Sequence, residues 1–244
     1  MGSNSGIWDI ADIISASRMN RKTLIADTGT NLNGLATTFG GQLAFCTTTG
    51  SGFTAEQLYQ RNSGNTAWVA ITSVGKQDLY WGSPAWWARS NNGAGGLTRT
   101  ELTTNKINLQ TFDFDTATQE FVQTIMQLPR NWDKGTIKFT PHWTAASGSG
   151  GVVWALQGQA FSNDDALDTA LGTEQTSTDT LITANDEHLG PQSAAITIGG
   201  SPTDEDLLIL QLKRNVSDAS DTLGVDALLL GITLEISLDS SIAV

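Results

Sequence analysis

Two histidines and a single cysteine bound the chemistry open to this chain of 244 residues. With only His142 and His188, a zinc site built on three imidazoles is excluded, and the lone Cys46 allows neither an intrachain disulfide nor a thiolate metal cluster. His188, Asp186 and Ser193 supply the residue types of a Ser-His-Asp set. No G-x-S-x-G nucleophile turn accompanies them, so a solvated loop around His188 is the competing reading. Phosphate-cradling phrases of the G-x-x-x-x-G-K-[ST] and G-x-G-x-x-G types are also missing, despite 25 glycines.

Carboxylates are more numerous and cluster at Asp113/Asp115, at Asp164/Asp165/Asp168 and at Asp204/Glu205/Asp206. Asp113 and Asp115 are two residues apart, which on a strand places both on one face. That is one requirement of a glycosidase pair, whose carboxyl groups stand about 5–10 Å apart. Strand ends and turns, where carboxylates cap and solvate, are the alternative. Asn163, Asp164, Asp165 and Asp168 offer oxygen ligands for calcium without the EF-hand spacing, and equally fit a helical turn over 164–171 with Asn163 as its N-cap. No cofactor and no metal is expected from these patterns, and no catalytic residue is assigned.

The eight tryptophans form the remaining chemical resource, since flat aromatic faces serve sugars and protein partners alike. Trp68, Trp132, Trp143 and Trp154 fall in or beside expected strands and are expected in the core. Trp81, Trp86 and Trp87 fall in a Trp- and Gly-rich stretch. For these three, packing between regions or subunits, contact with a partner protein, and stacking on a glycan are all open.

The elements that must position these residues are mainly strands. Charged residues make up only 16% of the chain against roughly 25% in an average soluble domain, and Thr, Ser, Gly, Asn and Gln take their place. A short N-terminal helix is expected from an N-cap at Ser15, with Met19, Thr23 and Ala26 at helical spacing. Preceded by Ile7, Trp8, Ile10, Ile13 and Ile14, it makes residues 1–30 a candidate anchor or oligomer contact. Residues 31–75 are expected as a small β-hairpin module in which Leu58-Tyr59 face Trp68-Val69. Residues 76–105 are expected as a connector, and 106–244 as an acidic antiparallel β-sandwich, jelly-roll-like. Its strands are expected near 107–114, 120–128, 135–144, 151–161, 176–183, 194–198, 206–214 and 225–238. Pro141, lacking an N–H, marks an edge or a bulge.

Net charge is −12 and uneven: residues 1–90 carry 6 basic and 5 acidic side chains, the remainder 7 and 20. So acidic a surface repels nucleic acid and anionic lipid. No run approaches the roughly 20 apolar residues of a membrane span, and residues 1–6 lack a secretion signal, so synthesis in a reducing cytoplasm is the expectation.

Several phrases carry a resemblance. Trp8 with Ile13-Ile14-Ser15-Ala16-Ser17-Arg18-Met19-Asn20 resembles the start of phage fibre and decoration proteins. Gly41–Thr47, Gly52-Phe53, Leu58–Arg61 and Trp68 look like the hairpin module that follows it there. Leu109–Glu120, Leu128–Thr136, Gly151–Gly158 and Ser217–Leu223 resemble a domain common in tailed phages of marine bacteria. The resemblance implies a structural protein of a bacteriophage virion. The N-terminal helix and the small hairpin module are each marginal alone, which adds the expectation of a homotrimeric capsid-decoration (cement) or head-fibre protein, anchored through Ile7, Trp8, Ile10, Ile13, Ile14 and Met19 to capsid or tail proteins. The alternative is a tail-fibre or receptor-binding module that recognises host surface polysaccharide, with Trp81, Trp86 and Trp87 as candidate contacts.

Overall fold

The computed structural model describes residues 25–28, 43–51, 57–61, 66–70 and 75–239. The chain divides into two compact units, Met1–Ser73 and Val74–Val244. The anchor candidates Ile7 to Met19 lie outside the described residues.

In the first unit β1 (Ile25–Thr28), β2 (Leu43–Thr48), β3 (Gln57–Arg61) and β4 (Trp68–Ala70) form one sheet in that order. β1 runs parallel to β2, and the other pairs are antiparallel. Ala26, expected at the end of a helix, is therefore a strand residue beside Phe45. The expected hairpin forms in a different register, with Tyr59 opposite Ala70 and Arg61 opposite Trp68, whose ring lies 5.4 Å from the guanidinium. Ala44, Cys46 and Tyr59 are buried.

The second unit is an antiparallel β-sandwich. Its strands are β5 (Lys76–Gly82), β6 (Trp87–Ala88), β7 (Thr98–Glu101), β8 (Asn108–Phe114), β9 (Phe121–Met126), β10 (Lys138–Thr144), β11 (Gly150–Phe161), β12 (Gln175–Leu181), β13 (His188–Leu189), β14 (Leu207–Arg214) and β15 (Ala227–Ser237). One sheet has the order β13-β10-β15-β8-β7, with β5 also on β15, and the other the order β12-β11-β14-β9-β6. From β8 onward each strand passes to the opposite sheet except at the β11–β12 hairpin, which gives the expected jelly-roll-like character.

Alternation explains which faces meet. β9 turns Val122, Thr124 and Met126 inward, β14 turns Leu208, Leu210 and Leu212 inward, and β15 contributes Leu229, Ile232, Leu234 and Ile236. Each such large aliphatic side chain contributes about 1.5–3 kcal/mol by leaving water. Phe114 of β8 meets Trp154 of β11 edge to face at 5.1 Å, and Trp143 of β10 donates its indole N–H to Asp179 of β12 at 2.9 Å, so aromatic contacts join the two sheets. Trp132, Trp143 and Trp154 are core residues, as their strand positions indicated.

The expected connector is part of this sandwich. Residues 76–105 supply β5, β6 and β7, with a 3-10 turn at Ser83–Ala85 between the first two. β5 pairs antiparallel with the central β15 and buries one face through Leu79 and Trp81, while Lys76, Asp78 and Tyr80 project from the other. Residues 194–198 form no named strand; Ile196 makes an isolated bridge to Ile137. The helical turn expected over 164–171 is irregular chain, with Leu167 68% exposed and hence no apolar face to bury. Pro141 lies next to a register shift between His142 and Trp143, the bulge it signalled.

Candidate functional site

Opposite that shift stands Gly231, the position that sets the outer face of the β5–β15–β10 sheet. A Cβ on Gly231 would lie 2.7 Å from both the Trp81 carbonyl and the Tyr80 hydroxyl, at a φ of +157°. Glycine there lets β5 close on β15, and the Tyr80 hydroxyl then donates to Leu230 O at 3.1 Å.

Tyr80 remains 57% exposed and forms one side of a groove of about 530 Å³. That size falls within the roughly 300–1,000 Å³ of small-ligand sites. The β7–β8 hairpin raises one wall with Ile107, Asn108 and Gln110; the loop 182–187 raises the other with Asn185, Asp186 and Glu187; Thr144 and Leu230 lie between. Tyr80 packs edge-on against His142 with ring centroids 5.2 Å apart. His142 bonds Glu187 through Nδ1 at 2.8 Å and Thr233 through Nε2 at 2.9 Å. Burial, then the negative charge of Glu187, raises the Tyr80 hydroxyl above the ordinary phenol range, so it acts as a neutral donor. Thr144 is 5% exposed, and its Oγ1 has no hydrogen-bond partner among the described residues.

The loop wall is held by His188, which is buried and not the solvated loop residue the sequence suggested. Its Nε2 accepts from Ile182 N at 2.8 Å, and its Nδ1 donates to the main-chain oxygen of Asp186 at 3.0 Å. Because Nε2 is the acceptor, the ring proton sits on Nδ1. Asn185 adds two bonds, from its N to Ala145 O and from its side chain to Ala146 O. The residue types of a catalytic triad are thus not assembled: His188 meets the peptide oxygen of Asp186, while Ser193 Oγ accepts from Phe139 N and donates to Ala194 O.

Most members of the acidic clusters are bonded to neighbouring hydroxyl, amide or cationic groups. Asp113 accepts from Thr111 and Thr98, and Asp115 Oδ1 accepts from Ala117 N and Thr118 N. Those two amides hold the Asp115 carboxyl below its usual range, the signature of a turn cap rather than a proton donor. Asp165 accepts from Ser162 N, and Asp206 accepts from Ser162 Oγ and from Thr203 N and Oγ1. Asp204 and Glu205 pair with Lys134 and Arg130. Among the described residues no group of three or more His, Cys, Asp or Glu side chains is placed to hold a metal ion, and no helix is long and apolar enough to cross a membrane.

Of the three tryptophans whose role as packing or contact residues the sequence leaves open, two are turned inward. Trp81 is packed against the core and donates to Thr124 Oγ1 at 3.1 Å, and Trp86 is 4% exposed. Trp87 is 44% exposed, but on β6 at the edge of the other sheet, and it does not line the groove. Tyr80, the groove's aromatic, carries a signal in the sequence: it is the outward member of the alternating run Lys76 to Trp81. The rest of the groove comes from segments about 30 and 100 residues further on, which no local pattern joins.

No family model matches the chain, and no curated protein matches it. Among solved structures it is similar to the N-terminal CBM22-1–GH10 modules of endo-1,4-β-D-xylanase 10B from Clostridium thermocellum complexed with xylohexaose (12% identity, 71% of this chain and 30% of that one, TM-score 0.39). This chain thus spans less than a third of that protein's length. It is also similar to the CBM22-2 xylan-binding domain from Paenibacillus barcinonensis (13% identity, 66% and 98% covered, TM-score 0.38). A third likeness is to the family 11 carbohydrate-binding module from Clostridium thermocellum in complex with a mixed-linked β-1,3-1,4 tetrasaccharide (13% identity, 67% and 96% covered, TM-score 0.34).

Proposed function

We propose that this chain is a non-catalytic receptor-binding protein of a bacteriophage particle, and that its β-sandwich holds a host surface polysaccharide in the groove beside Tyr80. The observation that carries the glycan part is the composition of that groove. An exposed aromatic ring and the apolar Ile107 and Leu230 stand beside the amides of Asn108, Gln110 and Asn185 and the carboxylates of Asp186 and Glu187. Sugar rings present the matching chemistry, C–H faces for the apolar members and hydroxyls for the polar ones. The link to a phage particle rests on the sequence phrases at Trp8–Asn20 and along the sandwich, and in this proposal assembly, including the trimer, falls to residues 1–73.

Binding of the full chain to an array of bacterial surface polysaccharides tests the proposal, with Tyr80→Ala as the site variant and Trp87→Ala as the control on the other sheet. The expected result is binding that Tyr80→Ala weakens at least tenfold and Trp87→Ala leaves in place. A blank array, or binding indifferent to Tyr80, would overturn it.

A further inference from the structure

The ionisable groups of the groove carry information about its ligand that its shape does not. Among the described residues, Asp186 and Glu187 are the charged side chains lining it, and no lysine or arginine joins them. On the hairpin wall Arg99 donates to Asn108 Oδ1 at 3.1 Å and keeps its charge, while Lys106 pairs with Glu101 at 3.6 Å. Glu187 is tied to His142, whereas the Asp186 carboxylate makes no hydrogen bond or ion pair among the described residues. The His188 and Asn185 bonds fix the backbone that presents it. Asp186 is thus an exposed, unpaired acceptor held at the rim of a groove whose other polar members are mostly neutral.

From this charge arrangement we infer that the groove selects glycans bearing a free amino group, such as de-N-acetylated hexosamines, and rejects uronic-acid and other anionic chains. The inference rests on the groove being the glycan site. An ammonium group at Asp186 gains a charge-assisted hydrogen bond that a hydroxyl does not. A uronate in the same place meets two carboxylates with no lysine or arginine among the described lining residues, and repulsion between such exposed charges weakens as salt is raised.

Titration of the full chain with a chitosan tetramer, its N-acetylated counterpart and an oligogalacturonate tetramer, beside the polysaccharide array, separates the two layers. The expected order is amine above N-acetyl, with the uronate not binding. Asp186→Asn should lower the amine-to-N-acetyl affinity ratio about tenfold, the worth of one charge-assisted bond over a neutral one, and raised salt should narrow it. Array ligands that depend on Tyr80 but show no preference for amines, or a ratio unmoved by Asp186→Asn, overturn the charge selectivity and leave the groove as a glycan site. If no carbohydrate binds, both fall.

Discussion

Arg214 offers the sharpest test of how the sandwich holds the groove walls in place. Its side chain is fully buried at the end of β14, and Nε and Nη2 form a bidentate pair with Asp221 at 2.8–3.1 Å. Nη1 faces the carbonyl oxygens of Phe114, Asp115 and Val225 at 3.3, 3.4 and 2.9 Å, and Nη2 donates to that of Leu223. One guanidinium therefore ties β14 of one sheet to the end of β8 and to the segment leading into β15 in the other, and β8 is the strand that carries the hairpin wall. The Asp221 side chain is only 2% exposed and also accepts from Val153 N. Arg214→Met leaves that carboxylate and four carbonyls without their cation, at a cost of about 3–5 kcal/mol, as for other broken buried pairs. Against a total stability of roughly 5–15 kcal/mol this is a large fraction, and it lowers Tm by about 6–20 °C in a unit of this size. Urea unfolding followed by tryptophan fluorescence measures it. The double variant Arg214→Met with Asp221→Leu should recover part of the loss, because removing both charges avoids the stranded carboxylate. A single variant costing less than about 1 kcal/mol, or a double variant no better than the single, would refute the reasoning.

Gly231→Ala should destabilise the unit by about 1–3 kcal/mol through overpacking against Trp81 O and the Tyr80 hydroxyl, and should weaken glycan binding with it, read by unfolding and titration of the same sample. Trp86→Ala should cost about 3–5 kcal/mol as a core truncation, while Trp87→Ala should stay within about 1 kcal/mol; equal costs would contradict the burial of one and the exposure of the other. Asp226 has a folded-state pKa raised first by burial and then by the charges of Asp115 and Asp113. A raised carboxyl binds protons more readily folded than unfolded, so stability rises as pH falls through that raised value and the ionised group is a net cost at neutral pH. Asp226→Asn should therefore stabilise at pH 7, and the gain should fade once the medium is acidic enough to protonate the carboxyl in both states.

The sandwich was legible in the sequence wherever a strand was long and half-buried. Lys138 to Thr144 and Phe121 to Met126 alternate cleanly, and the apolar runs at Leu207 and Leu228 are the central strands β14 and β15. Residues 76–105 read as a connector because their strands are short and their glycines and tryptophans resemble linker composition. β6 is two residues long, and β7 is exposed throughout, so neither carries a period. β5 does carry one, yet its pairing with β15 spans about 150 residues and only the tertiary structure supplies it. The groove was illegible for the same reason, since Tyr80, Asn108 and Asp186 meet only after both walls are built. The position of His188 at the end of the loop phrase Asn185-Asp186-Glu187-His188 suggests a solvated ring, whereas it is buried with the ring of Trp143 5.0 Å away.

The central claim is that a glycan lies in the groove between the β7–β8 hairpin and the loop 182–187. Chemical-shift mapping of the full chain with the strongest array ligand tests it most directly. The account predicts saturable shifts at Tyr80, Ile107, Asn108, Gln110, Asn185 and Asp186, abolished in Tyr80→Ala. Shifts centred instead on Trp87 and the opposite sheet, or none at saturating ligand, would contradict it.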